Sequence, residues 1–338
     1  MSKNIKYKIT RTLLIPAAVF LIISGCTKAS TSVSEPIETT ATTEATIEAA
    51  TSEAATSEMP TTEAMTTEAT TTEAPTTEAP TEAADTQITS TVVTLTSDMK
   101  YAENSMISTG SAVLYSNPAG NNITVCVNAG HGTTGGSSVK TLSHPDGSAK
   151  ITGGTTAAGQ IYSTAVSSGM TFLDGTTEAD VTLAAAILLK DELLSRGYNV
   201  LMIRESKDVQ LDNVARSVLA NNYADCHIAI HWDSTETDKG AFYCKVPDVA
   251  DYKAMEPVTS TWEKSDKLGE MLINGLSSNG FIIFGSGYME MDLTQTSYSS
   301  VPSIDIECGD KASDHSEAEL KSLAKALADG VDAFYSQS

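Results

Sequence analysis

The 338-residue sequence predicts an α/β fold: a single globular domain with a mostly parallel central sheet flanked by helices, preceded by a long disordered stalk. Three observations predict it. From Ile123 to the end, short apolar runs alternate with longer helical patterns, as in strands joined by crossover helices. The length of this part, about 215 residues, is enough for one good core. Before it lies a stretch with almost nothing to bury.

Residues 1–25 read as an export signal. Lys3, Lys6, Lys8 and Arg11 precede an apolar run, Leu13 to Ile23, that is too short to span a bilayer comfortably. The segment closes on Leu21-Ile22-Ile23-Ser24-Gly25-Cys26, which resembles the lipobox of bacterial lipoproteins. That resemblance implies cleavage before Cys26 and lipidation of its thiol, anchoring the chain outside the cytoplasm at the cell membrane. Two acyl chains on one residue make such anchoring stable, where one is marginal.

Residues 26–87 form the expected stalk, in which Thr-Glu-Ala recurs at Thr43, Thr62, Thr67, Thr72, Thr77 and Thr81. Between Ala29 and Asp85 there are twelve acidic residues and no basic ones. Such a segment repels itself and cannot offset its chain entropy by burial. Fully extended, some sixty residues reach on the order of 150–180 Å, which suits a tether through a cell-wall layer. A spacer of untuned length has the same composition.

Residues 88–120 regain β-formers in Thr91–Leu95 and Ala112–Tyr115, with Asn117-Pro118-Ala119-Gly120 as a turn. They read as a β-rich lead-in, either a small ribbon or irregular chain, ahead of a catalytic domain at 121–338. Within that domain the expected strands are Ile123–Asn128, Asn199–Arg204, His227–His231 and Ser303–Glu307.

The helices follow from caps and periodicity. Thr177 caps a helix running from Glu178 to about Arg196, which Gly197 stops, and Val181, Leu183, Ala184, Ile187, Leu188 and Leu194 surround it with apolar surface. A second spans about Leu211–Tyr223 and a third lies near Lys264–Leu276. The last has Ser316 and Glu319 as a capping box, followed by a stripe from Leu320 to Phe334. Cys126, Cys226, Cys244 and Cys308 show no CxxC spacing and are read as free, buried thiols.

In open parallel sheets, ligands gather beyond the carboxyl ends of the strands. Three such ends carry polar residues: Asn128-Ala129-Gly130-His131-Gly132, Ile230-His231-Trp232-Asp233 and Asp305-Ile306-Glu307-Cys308-Gly309. Glu178 opens a helix. Two histidines and a carboxylate are the ligand set of many catalytic zinc sites, with a further carboxylate as general base. His131, Glu178, His231 and Glu307 supply those groups. Singly, each has a plainer reading: strand-end histidines are usually satisfied hydrogen bonders, and an acid in a first helical turn favours the dipole.

Residues 123–335 resemble the zinc-dependent N-acetylmuramoyl-L-alanine amidases of the Amidase_3 type. The likeness rests on Gly130-His131-Gly132 after a strand, and on Glu178 leading into a helix followed by Arg196-Gly197-Tyr198-Asn199-Val200 and Arg204. It continues through Ala215-Arg216, Asn221, Ala224-Asp225 and Ile228-Ala229-Ile230-His231 to Val301-Pro302-Ser303-Ile304-Asp305-Ile306-Glu307. The resemblance implies that His131, Glu178 and His231 bind Zn2+, that Glu307 is the catalytic base, and that the substrate is peptidoglycan, cut between N-acetylmuramic acid and L-alanine. The family commonly has Asp-Pro where this chain has Asn128-Ala129, and Asn-Ala where it has Trp232-Asp233; neither departure removes a ligand.

The stretch Thr133–Thr177 is long for the family and reads as an insertion or long loop, with Asp174 and Asp180 as carboxylates near Glu178. Its His144 reads as a surface or substrate-side residue, Trp232 as packing or a sugar platform, and Arg204 and Arg216 as structural. Three other functions remain: a zinc peptidase acting on stem peptides, a thiol hydrolase built on Cys308, and a degenerate wall-binding lipoprotein. Each explains fewer of the residues or rests on a pocket the sequence does not display. The formal net charge of −22 excludes a nucleic-acid partner, since no basic surface is clustered.

Overall fold

The computed structural model describes residues 87–337. The export signal, Cys26 and the stalk expected at 26–87, apart from Gln87, lie outside the described residues. Among those described, no helix is long and apolar enough to cross a membrane.

The sheet has eight strands: β1 Thr89–Val93, β2 Ala112–Ser116, β3 Thr124–Ala129, β6 Asn199–Met202, β7 Cys226–Asp233, β8 Ala241–Lys245, β9 Ile283–Glu290 and β10 Ser303–Asp310. Their spatial order is β1-β2-β6-β3-β7-β10-β8-β9. The central block β6-β3-β7-β10 is parallel throughout, as is β8 with β9; β1, β2 and the β10–β8 pairing are antiparallel. Strands β4 Lys140–Leu142 and β5 Tyr162–Thr164 make a separate hairpin inside the long 133–177 stretch.

The helices are α1 Glu178–Ser195, α2 Asn213–Tyr223, α3 Ala250–Ala254, α4 Val258–Ser278, α5 Thr294–Tyr298 and α6 Glu317–Ser336. One face of the sheet packs on α1, α4 and α6 through Val125, Val127, Ile228, Ile230 and Ile306 from the strands and Leu189, Leu272 and Leu327 from the helices. The opposite face packs on α2 through Cys126, Leu201, Ile203, Ala215 and Leu219. The alternation of Val125, Cys126 and Val127 between these two cores is the period of two that a pleated strand imposes.

The four expected strands and four expected helices are all present. Thr177 caps α1 by accepting from the Asp180 amide at 3.2 Å, and Gly197, with φ at +89°, turns the chain back toward the sheet. Packing shifts the face of α1: Val181, Ala185, Ala186, Leu189 and Leu193 are buried, while the expected Ala184 is exposed. Helix α4 begins at Val258, well before Lys264, because Thr261 and Ser265 are buried on its inner face and carry no apolar signal.

Ser316 caps α6 with a 3.4 Å bond from the Glu319 amide, yet the expected reciprocal half of the box is replaced: Asp314 accepts from the Ser316 amide at 2.8 Å. Residues 88–120 contribute β1 and β2, a hairpin joined to the sheet along β6. Asp212, buried at the start of α2, fastens that segment by accepting from the Met106 and Ile107 amides at 2.6 and 2.9 Å. The four described cysteines are buried and free.

Candidate active site

A cleft of about 430 Å³ lies over the carboxyl ends of β3, β7 and β10. Strand β3 ends at Ala129; the Gly130 amide then bonds the Ile230 carbonyl at 3.1 Å, and the chain turns sharply at His131, whose φ is +63°. That left-handed conformation costs a non-glycine residue on the order of 1–3 kcal/mol and persists where the surroundings fix it.

Arg216 supplies the fixing: fully buried, it donates to the carbonyls of Leu211, Ala129 and His131 at 3.0, 3.1 and 2.6 Å, to Asn128 Oδ1 and to Thr133 Oγ1. Arg204, also buried, joins the Gly130 carbonyl at 2.9 Å to the Ala179 carbonyl at 2.8 Å, tying the loop to the first turn of α1. Burial lowers Arg204 to about 10 and, with the charge of Arg204 beside it, Arg216 to about 9. Both arginines serve the backbone, as their structural reading expects.

His131, Glu178 and His231 converge. The His131 Nε2 to Glu178 Oε1 distance is 2.8 Å, His231 Nδ1 to His131 Nε2 is 3.1 Å, and His231 Nδ1 to Glu178 Oε1 is 3.2 Å. Three donors held at about 2.0–2.1 Å around one tetrahedral ion lie roughly 3.3 Å apart. Two imidazole nitrogens and a carboxylate oxygen therefore stand close to the spacing a zinc ion requires, and the three form a group able to hold a metal. Asp174 and Asp180, the neighbouring carboxylates, are elsewhere: Asp174 meets His315 at 3.1 Å, and Asp180 meets Lys207 at 3.0 Å.

Electrostatics match the geometry. Burial alone would raise Glu178, but the hydrogen bonds from both histidines hold it well below the usual carboxylate range. Burial lowers His131. It opposes protonation of His231 too, yet the bond to Glu178 and the charge of Asp305 lift that imidazole to about 9.

Glu307 lies directly across from His231 in the parallel β7–β10 register, so the two side chains share a face. Burial raises its carboxyl to about 8, against the pull of His231. Its Oε2 is buried with no hydrogen-bond partner among the described residues. Asp305, two residues earlier on the same face, has its Oδ2 3.9 Å from His231 Nε2, and burial raises it to about 6. Sequence reading had not selected Asp305 as a site residue; its spacing of two from Glu307 along an apolar strand is the signal.

Other expectations are corrected. His144 is neither at the surface nor at a ligand position: it is buried, with Nε2 3.1 Å from Asp292 and Nδ1 2.8 Å from Ser148 Oγ. Trp232 is 4 % exposed and packs edge-on against Phe172 at 6.0 Å, while its backbone amide donates to Glu178 Oε1 at 3.0 Å. Burial pushes the Cys308 thiol well above its ordinary range, the reverse of what a thiol nucleophile needs.

Residues 125–333 match the family described as N-acetylmuramoyl-L-alanine amidase, Amidase_3. The chain belongs to this family. It is accordingly an amidase hydrolase of peptidoglycan, a substrate that lies outside the cytoplasm. No curated protein sequence matches it. Among solved structures, Ami1 of Mycobacterium smegmatis is similar at 18 % identity and a TM-score of 0.51, covering 64 % of this chain and 98 % of that one. The apo form of Ami1 from Mycobacterium abscessus is similar at 18 % identity and 0.50, covering 64 % and 99 %. At these identities the likeness is one of fold, and it extends over nearly the whole of each mycobacterial amidase.

Proposed function

We propose that this amidase is zinc-dependent, with His131, Glu178 and His231 holding the ion and Glu307 acting as general base. The observation that carries the proposal is the convergence of three donor atoms within 4.8 Å of one another, beside a buried carboxylate with an unpartnered oxygen. Zinc, when bound, supplies Lewis acidity toward the amide carbonyl and toward water.

The residues of the chain do the rest. Glu307, on the same face as His231, takes a proton from the attacking water and returns it to the nitrogen of L-alanine as the carbon–nitrogen bond breaks. One water is consumed, leaving a lactyl carboxylate and a free amine. The unpartnered Oε2 of Glu307 leaves a lone pair free to accept that proton. Trp232 and Met170 hold the Glu178 carboxylate in place through their backbone amides, at 3.0 and 2.8 Å.

The reading extends to the rest of the chain. We assign 1–25 as a lipoprotein signal, Cys26 as the lipidated residue, 26–87 as the stalk and 121–338 as the catalytic domain, with 88–120 adding two strands to its sheet. Lipid on Cys26 then anchors the enzyme to the cell membrane while the stalk lets the domain reach the wall.

The test is release of free L-alanine amino groups from purified peptidoglycan by the full chain, after chelation and after return of zinc, alongside Glu307→Ala. Zinc-dependent release that the variant lacks supports the assignment. Release indifferent to chelation overturns the zinc reading; bound zinc with release only of internal stem-peptide amines favours the peptidase.

A further inference from the structure

We infer that the stretch between the first two ligands is a positioning element of the metal centre: its main chain from Ser167 to Met170 orients His131 and Glu178, and a buried clasp at Asp292 holds it there. The inference rests on the zinc site proposed above. It gives the 133–177 stretch a task other than lengthening a loop.

The orienting contacts are specific. His131 Nδ1 lies 2.9 Å from the Ser167 carbonyl. A carbonyl only accepts, so Nδ1 holds a proton in that contact, and Nε2 is the nitrogen that faces Glu178 and His231 and is left to a metal. The Met170 amide donates to Glu178 Oε2 at 2.8 Å, and the Glu178 amide donates back to the Met170 carbonyl at 3.0 Å. Between them Gly169, at φ +81°, lies flat against both ligands: a Cβ there would come within 2.8 Å of His131 Cδ2 and 2.9 Å of Glu178 Oε2. A side chain at 169 therefore displaces two ligands at once.

The clasp lies across the cleft. Asp292, fully buried beyond β9, accepts from His144 Nε2 at 3.1 Å, the Ile151 amide at 2.6 Å, the Thr152 amide at 3.0 Å, the Thr152 hydroxyl and Lys150. Every donor belongs to the 133–177 stretch. One carboxylate thus gathers the first half of the stretch, through residues 144 to 152; farther along, Ala165, Val166 and Phe172 are anchored by burial.

If seating the stretch favours the ligand geometry, linkage requires that zinc in turn favour the seated stretch. Hydrogen exchange on the full chain, with zinc and after chelation, reads this without mutation. We expect zinc to slow exchange about tenfold or more at Met170 and also at Ile151 and Thr152, which exchange by local opening, in excess of any slowing that global stabilisation brings to α4 and α6. Zinc affinity, measured by competition with a chromophoric chelator, is expected to fall 10–100-fold in Gly169→Ala, the range for lost outer partners, with an altered visible spectrum of the cobalt-substituted protein.

Exchange at Ile151 and Thr152 that ignores bound zinc overturns the inference, whatever becomes of the variant, as does an unchanged affinity in a folded Gly169→Ala. Failure of the unsubstituted chain to bind zinc at all overturns the metal-site proposal instead.

Discussion

The two sides of the cleft are built on different physical grounds. His131, His231, Asp305 and Glu307 sit on or just past β3, β7 and β10, whose relative positions are fixed by a parallel ladder and by apolar cores on both faces. Facing them, the 133–177 stretch is held by the short β4–β5 hairpin, by polar contacts gathered at Asp292 and by a few buried side chains such as Val166 and Phe172. The strand side is a rigid frame that presents chemistry, while the other side is a polar appendage that must be held in place. A perturbation of the first is expected to reach the whole fold, and one of the second to stay local.

The largest effect separates chemistry from metal binding. Glu307→Gln keeps shape and removes the base, so amine release from peptidoglycan is expected to fall about 10²–10⁴-fold. Zinc affinity should change little, since Glu307 is not among the three converging donors. Gly169→Ala on the facing side should show the reverse order, with affinity lost first. Chelator competition run beside the activity assay distinguishes the two.

Next comes the contrast between Arg216 and Asp292. Arg216→Leu leaves the buried His131 carbonyl and Asn128 Oδ1 without their donor, while the carbonyls of Leu211 and Ala129 keep the Thr133 hydroxyl and Arg204 Nε. At about 1–3 kcal/mol for each buried group left unpaired, global stability should drop by at least about 2 kcal/mol. Asp292→Ala leaves buried Lys150 without its carboxylate, a local penalty of about 3–5 kcal/mol. Urea unfolding should register the first in full; hydrogen exchange at Ile151 and Thr152 should register the second with a much smaller shift in the global midpoint.

Acid should undo the two sides in sequence. His227, fully buried in β7, is pushed down to about 3 by burial and by the charge of Arg216. The unfolded chain binds a proton near pH 6.5 that the folded chain refuses, so stability is lost as pH falls from about 6.5 toward 3, on the order of 1.4 kcal/mol per pH unit at steepest. Burial would raise Asp292, yet bonds from His144, Thr152 and Ile151 hold it well below the usual carboxylate range. Its contribution is present above its unfolded value near 4 and fades only below that. Between pH 6.5 and 4 the clasp should therefore stay protected, and His227→Gln should remove the loss that His227 contributes, read as the difference in stability between the variant and the parent chain across that range.

This asymmetry also governs what the sequence disclosed. The strand side was legible because β3 and β7 are largely apolar and β10 alternates Ile304 and Ile306 with acids, each ending in polar residues, and because Thr177 and Ser316 announce their helices. His144 and Asp292 were not, being 148 residues apart with their 3.1 Å contact made by folding alone. Strand β9 was missed because Gly285 and Gly287 interrupt its alternation, and it lies mostly exposed at the sheet edge. Met170 acts through backbone atoms, which every residue possesses, and Ser167 through its carbonyl and its hydroxyl, 3.1 Å from His131 Nδ1, but one serine in a Ser- and Thr-rich loop marks nothing. Asp305 was visible and passed over, since one acid two positions before another is also common in an ordinary exposed strand.

The smallest expected effect lies at the joint between the two sides. Thr177 ends the 133–177 stretch and caps α1, whose first residue is Glu178, so its hydroxyl has two conceivable tasks. Thr177→Ala should cost about 1 kcal/mol through loss of the cap to the Asp180 amide. It should leave zinc affinity within about twofold, because the Glu178 carboxylate is held from either side by the Met170 and Trp232 amides, and its backbone by the Met170 carbonyl. A loss of affinity far beyond the loss of stability would mean that helix α1 must be pinned at its first turn before the facing side can seat, making the cap, and not Met170, the point where the two sides meet.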